Sequence, residues 1–123
     1  MRFIDSNLLI YAAHEEYKFL RPLIGDDQTC LSVASKIETL GYHKLSEMER
    51  TFFEGIFRAA IVLAIDDVII DKAVELRRIK KMSFGDCIIA ATALVHHLDL
   101  YTNNTADFSH IPELTVINPL VEN

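Results

Sequence analysis

Residues Ala60-Ile61-Val62-Leu63-Ala64-Ile65 form an unbroken apolar run that stops at Asp66-Asp67. This is the pattern of a strand buried on both faces, and such strands belong to parallel sheets covered by helices on either side. The rest of the chain supplies the partners. Phe3-Ile4 reads as a strand and Asn7 to about Ala13 as a helix with a polar start. Glu15 to Ile24 predicts a second helix, weakened or shortened by Pro22 and stopped by Gly25-Asp26-Asp27. Thr29-Cys30-Leu31 is a strand, followed from Ser32 by a helix running through Leu40 and Tyr42. Another helix starts at Ser46 and carries Met48, Phe52, Phe53, Ile56 and Phe57 at helical spacing. Asp67 is the expected cap of a helix ending in the basic tail Arg77-Arg78-Ile79-Lys80-Lys81. Phe84 to His97 is apolar almost all round, so it should lie buried between neighbours. Leu100-Tyr101-Thr102 and Leu114 to Ile117 close the pattern as strands, joined by the polar loop from Asn103 to Pro112. Strands alternating with helices predict an α/β domain with a mostly parallel central sheet. No repeat or linker divides it, so one domain over residues 1–123 is expected.

A parallel α/β sheet gathers the strand ends that feed helices along one edge, where ligands bind. Asp5 ends the first strand at that edge. Ser35-Lys36-Ile37-Glu38 follows the second strand, Ser83-Phe84-Gly85-Asp86 opens the apolar helix, and Asn103-Asn104-Thr105-Ala106-Asp107 follows a late strand. These distant acids therefore point to one pocket. Ser35-x-x-Glu38 and Ser83-x-x-Asp86 also have the spacing of capping boxes, as does Ser46-x-x-Glu49, and acids favour first helical turns in any case. Asp5 differs, because Leu8 stands where a capping-box partner would be. Acids aimed at one edge repel each other unless a cation neutralises them. With no thiolate or imidazole set nearby, hard oxygen ligands suit Mg²⁺ or Mn²⁺. A carboxylate-bound Mg²⁺ is common equipment for phosphodiester hydrolysis, and Glu38 could orient or deprotonate the attacking water.

The net charge of −6 argues against wholesale electrostatic attachment to nucleic acid or anionic membrane, though not against a local basic patch. Cys30 and Cys87 lack metal-site spacing and read as reduced core residues, which with the absence of a signal-peptide pattern leads us to expect a cytoplasmic protein without a membrane span. Nothing resembles a Ser-His-Asp triad, a Walker loop or a dinucleotide-binding turn. A phosphoacceptor receiver domain would need an acidic pair after the first strand, where this chain has Asp5-Ser6. Two features keep alternative readings. The basic tail at 77–81 either complements the helix dipole or contacts RNA backbone. The face of Phe52, Phe53 and Phe57 either packs in the core or lines a groove for a partner helix.

Four segments, MRFIDSNLLIYA, SVASKIETL, SFGDCIIAATAL and TNNTADF, together resemble the signature segments of PIN-domain ribonucleases, and among these the VapC toxins of toxin–antitoxin pairs. The similarity covers essentially the whole chain in the right order. It implies a Rossmann-like, three-layer α/β/α PIN fold and a Mg²⁺- or Mn²⁺-dependent endoribonuclease acting on RNA. It also implies a homodimer neutralised by a VapB-type antitoxin. Carried over residue by residue, Asp5 and Asp86 match the two principal metal ligands and Glu38 completes the acidic trio. At the fourth position Asn104 falls where the family has an acidic or amide residue, and Asp107 matches a further aspartate. An amide there would hold a second ion weakly. The resemblance leaves two other expectations open: an inactive PIN-type module that binds RNA or a partner, and an RNA-processing nuclease that is not a toxin.

Overall fold

The computed structural model describes residues 1–121. Five strands, β1 (Arg2–Ile4), β2 (Thr29–Ser32), β3 (Ile61–Leu63), β4 (Asp99–Tyr101) and β5 (Val116–Ile117), form one sheet in the order β3-β2-β1-β4-β5. Every pairing is parallel. Among the described residues six α-helices flank it: α1 (Ser6–Ala12), α2 (Arg21–Ile24), α3 (Ala34–Leu40), α4 (Glu47–Ala59), α5 (Asp67–Ile79) and α6 (Phe84–Val95).

Successive strand side chains point to opposite faces, and here each face has its own core. Phe3, Cys30, Leu63 and Leu100 join one apolar cluster with Ile69 and Leu76 of α5 and Ile88 and Ile89 of α6. Ile4, Leu31, Val62 and Tyr101 join the other with Leu8 and Leu9 of α1 and Phe53 and Phe57 of α4. The result is three layers, α/β/α. The Phe face of α4 is therefore core packing: Phe53 and Phe57 are buried, while Phe52 is half-buried beneath the Arg21 guanidinium, 5.2 Å from its ring centre. Cys30 and Cys87 are buried free thiols. Among the described residues no helix is long and apolar enough to cross a membrane.

Several local expectations need correction. The apolar run at 60–65 is not a strand buried on both faces: β3 spans only Ile61–Leu63, lies at the sheet's edge, and leaves Ile61 42% exposed. Its side chains feed both cores, which is why the run is apolar, yet nothing among the described residues pairs with its outer edge. Asp66, not Asp67, caps α5, its Oδ1 accepting from the Ile69 amide at 3.0 Å. The single helix expected from Glu15 to Ile24 is a 3-10 segment (Glu15–Leu20) followed by the short α2. Pro22 falls in the first turn of α2, where its missing N–H costs nothing.

α6 ends in a turn that favours glycine but contains histidine. The Leu98 amide donates to the Ala93 carbonyl and the His97 amide to that of Leu94, a Schellman arrangement. His97 accordingly sits at φ 55°, the one non-glycine residue with positive φ among those described. Relieving that conformation should outweigh glycine's extra unfolded-state freedom, so His97→Gly is expected to stabilise the fold by about 0.5–1 kcal/mol. A rise in the urea midpoint at unchanged m-value checks this; a fall would mean the imidazole makes a compensating contact.

Candidate active site

The strand order reverses direction at β1. The chain steps outward through β2 and β3, then returns to place β4 on the other side of β1. Such a switch point opens a crevice beyond the strand ends. Asp5 and Thr102, the residues immediately after β1 and β4, stand there side by side, and the Asp5 amide donates to the Tyr101 carbonyl at 2.9 Å.

Asp5 is 7% exposed. It occupies the N-cap position of α1, but its side chain makes no capping bond. Instead its Oδ2 accepts from the fully buried Thr102 hydroxyl at 2.8 Å. That hydroxyl in turn accepts from the Asn104 amide at 3.1 Å and from Asn7 Nδ2 at 3.4 Å. Ser6 reaches sideways: its hydroxyl donates to Glu38 Oε1 at 3.0 Å, with Asp5 Oδ1 a more distant 3.5 Å away. Glu38 lies on the exposed side of α3. The capping-box alternative for Glu38 falls away, because α3 has Val33 at its N-cap and no side-chain cap.

Asp86 sits half-buried in the first turn of α6, where its amide donates to Ser83 Oγ at 3.0 Å. Half of the expected capping box is thus present. Asp107 ends an exposed 3-10 turn (Thr105–Asp107) and shares a cleft wall with Asp86. Asn104 is exposed and tied to the centre through its backbone.

These placements leave negative charge uncompensated. Burial pushes the Asp5 carboxyl from its ordinary 3.8 up to about 6; the Thr102 hydrogen bond works against this, and the charges of Glu38 and Asp86 add to it. Burial likewise raises Asp86, offset in part by Ser83 and reinforced by Asp107. Among the described residues, no Lys or Arg comes within 4.0 Å of the carboxylates of Asp5, Glu38, Asp86 or Asp107. Nor do three or more His, Cys, Asp or Glu side chains among those residues form a complete ligand set by themselves. The centre is a chain of neighbouring acids, Glu38 to Asp5 to Asp86 to Asp107, not a closed cage.

Sequence reasoning passed over two of these residues. His110, which carries no motif, lines the cleft with Asp86 and Asp107. Asn7 bonds to Thr102 from the first turn of α1, a position that reads in sequence only as a polar helix start.

The sequence matches the PIN domain over residues 2–114. The chain belongs to the PIN-domain family. Solved structures align along nearly its full length. A toxin–antitoxin complex from Klebsiella pneumoniae contains a chain 29% identical, with 97% of this chain and 98% of that one covered and a TM-score of 0.77. FitAB bound to the IR36 DNA fragment matches at 23% identity, covering 100% and 98%, with a TM-score of 0.76. VapBC2 from Rickettsia felis, bound to promoter DNA, matches at 20% identity, covering 95% and 97%, with a TM-score of 0.77. No curated protein matches by sequence.

Proposed function

We propose that this PIN domain, taken as residues 1–123, is a divalent-metal-dependent endoribonuclease and the toxin of a VapBC-type toxin–antitoxin pair. The observation that carries the reading is Asp5: a buried carboxylate with no cationic partner among the described residues, pressed by the charges of Glu38 and Asp86 at the switch point of a PIN fold. Charge placed this way calls for a cation. Asp5 and Asp86 would hold Mg²⁺ or Mn²⁺, hard ions for which two carboxylates suffice because the remaining positions keep water. When bound, such an ion neutralises charge on a phosphate and lowers the pKa of a water.

The protein's own groups divide the remaining work. Thr102 fixes the Asp5 carboxylate by donating to Oδ2, while Oδ1, whose nearest donor is the Ser6 hydroxyl at 3.5 Å, would take the ion. Ser6 holds Glu38 beside Asp5 on an exposed surface, where Glu38 can take a proton from an attacking water. Asn104 and Asp107 would complete the pocket, where the uncharged Asn104 side chain can offer a carbonyl oxygen but no charge. The partner would be a VapB-type antitoxin, a reading supported by the similar chain in the Klebsiella pneumoniae toxin–antitoxin complex, and the toxin would be a homodimer. Buried free cysteines fit a cytoplasmic location.

The uncharged Asn104 also favours a second reading, a PIN module that binds RNA or a partner without cutting. Cleavage of end-labelled single-stranded RNA, titrated with Mg²⁺ and Mn²⁺, separates the two. We expect saturable cleavage that EDTA abolishes. Binding without cleavage at any metal concentration would establish the second reading, and cleavage unaffected by a co-expressed antitoxin candidate would point to an RNA-processing enzyme.

A further inference from the structure

Twelve Lys and Arg residues stand against eighteen Asp and Glu in the chain, yet four of the twelve fall between residues 77 and 81. Dipole compensation accounts for part of this crowding. Arg77 has a local task, its Nε donating to the Met82 carbonyl at 3.1 Å. Lys80 and Lys81 do not: α5 ends at Ile79, and both lysines are exposed, without an ion pair or side-chain hydrogen bond among the described residues. They face instead onto a cleft of about 530 Å³ whose walls also carry Arg77, Asp86, Asp107 and His110. Cations and carboxylates thus share one cleft while standing more than 4.0 Å apart, which leaves room between them. His110 adds an unmet need, since both ring nitrogens are buried without a hydrogen-bond partner.

Resting on the nuclease reading for its substrate class, we propose that this cleft is a phosphate subsite in which Lys80 and Lys81, backed by Arg77, hold a backbone phosphate of single-stranded RNA flanking the one at the acidic centre. An overall anionic protein would otherwise repel the strand. A cationic wall beside the acids supplies local attraction and fixes the direction in which the strand leaves the centre.

The test is binding of a fluorescein-labelled 12-nucleotide oligouridylate to the full chain in EDTA, by fluorescence anisotropy across a salt series. Wild type, Lys80→Ala/Lys81→Ala and Lys44→Ala are compared, Lys44 being an exposed cation outside the cleft. The double variant should bind about tenfold more weakly at low salt. Its log–log salt slope should shrink by about 0.7, the value for one lost single-strand phosphate contact. Lys44→Ala should match wild type. Affinity within twofold of wild type with an unchanged slope overturns the subsite. So does an equal loss toward a polyglutamate peptide of the same charge, because that marks a surface for any polyanion. Because cleavage is not measured, the two readings fail separately. Wild type that binds through Lys80 and Lys81 but never cuts RNA with metal overturns the nuclease and keeps the subsite.

Discussion

Asp5→Asn is expected to make the metal-free protein more stable while it removes RNA cleavage. A carboxyl whose folded pKa lies above its unfolded value binds its proton better when folded. Between about pH 4 and 6 the contribution of Asp5 to stability therefore falls as pH rises, and above pH 6 the full penalty is present. A shift from 3.8 to about 6, at about 1.36 kcal/mol per unit, is a penalty of up to about 3 kcal/mol at neutral pH. Asparagine has almost the same shape, can still accept from Thr102, and carries no charge for Glu38 and Asp86 to repel. Urea midpoints in EDTA should show the variant ahead of wild type at pH 7.5 and level with it near pH 4. Added Mg²⁺ should raise the midpoint of wild type but not of the variant. Cleavage should drop by at least about a thousandfold, on the order of 4 kcal/mol of lost transition-state stabilisation. An equal gain at both pH values would show that the charge of Asp5 is not what burdens the fold. Full activity in the variant would end the nuclease assignment.

Thr102→Val should have the opposite effect on stability. The hydroxyl is wholly buried and serves the Asp5 carboxylate, the Asn104 amide and the Asn7 side chain at once. Valine fills the same space and leaves these partners unmet, which costs about 2–4 kcal/mol when one of them is charged. Thr102 is also the strongest influence holding the Asp5 pKa down, so its loss moves that pKa further up. The deficit should then be largest above pH 7 and smaller near pH 4.5, where Asp5 is protonated. The acid limb of the cleavage profile should shift toward higher pH. Thr102→Ser, which restores the hydroxyl, should recover both. A deficit that is the same at both pH values would reduce Thr102 to a packing residue.

The order of elements was legible because each depends on local chemistry: β1 and β2 on short apolar runs, α4 on the complete Ser46–Glu49 capping box, α6 on its apolar circumference. Whatever depended on position across the sheet was not. The 60–65 run has the composition of an interior strand because β3 feeds two cores, and only the strand order reveals its open edge. Asp66 and Asp67 are equally good caps on paper, and a one-residue phase decides between them. The acids were legible as a set at strand ends, but their partners were not. Glu38 stands at capping-box spacing from Ser35, yet its hydrogen bond comes from Ser6, 32 residues away. His110 gave no signal because its place in the cleft depends on how the 103–112 loop folds back toward α6.

The hydrogen bond from the Asp5 amide to Tyr101 ties the candidate centre to the middle of the sheet, between the central strand β1 and its neighbour β4. Parting those strands means dismantling the sheet, so Asp5 cannot be displaced by fraying a surface loop. On the nuclease reading proposed above, restraint would then come from outside, by something that covers the crevice, and release by removing that cover.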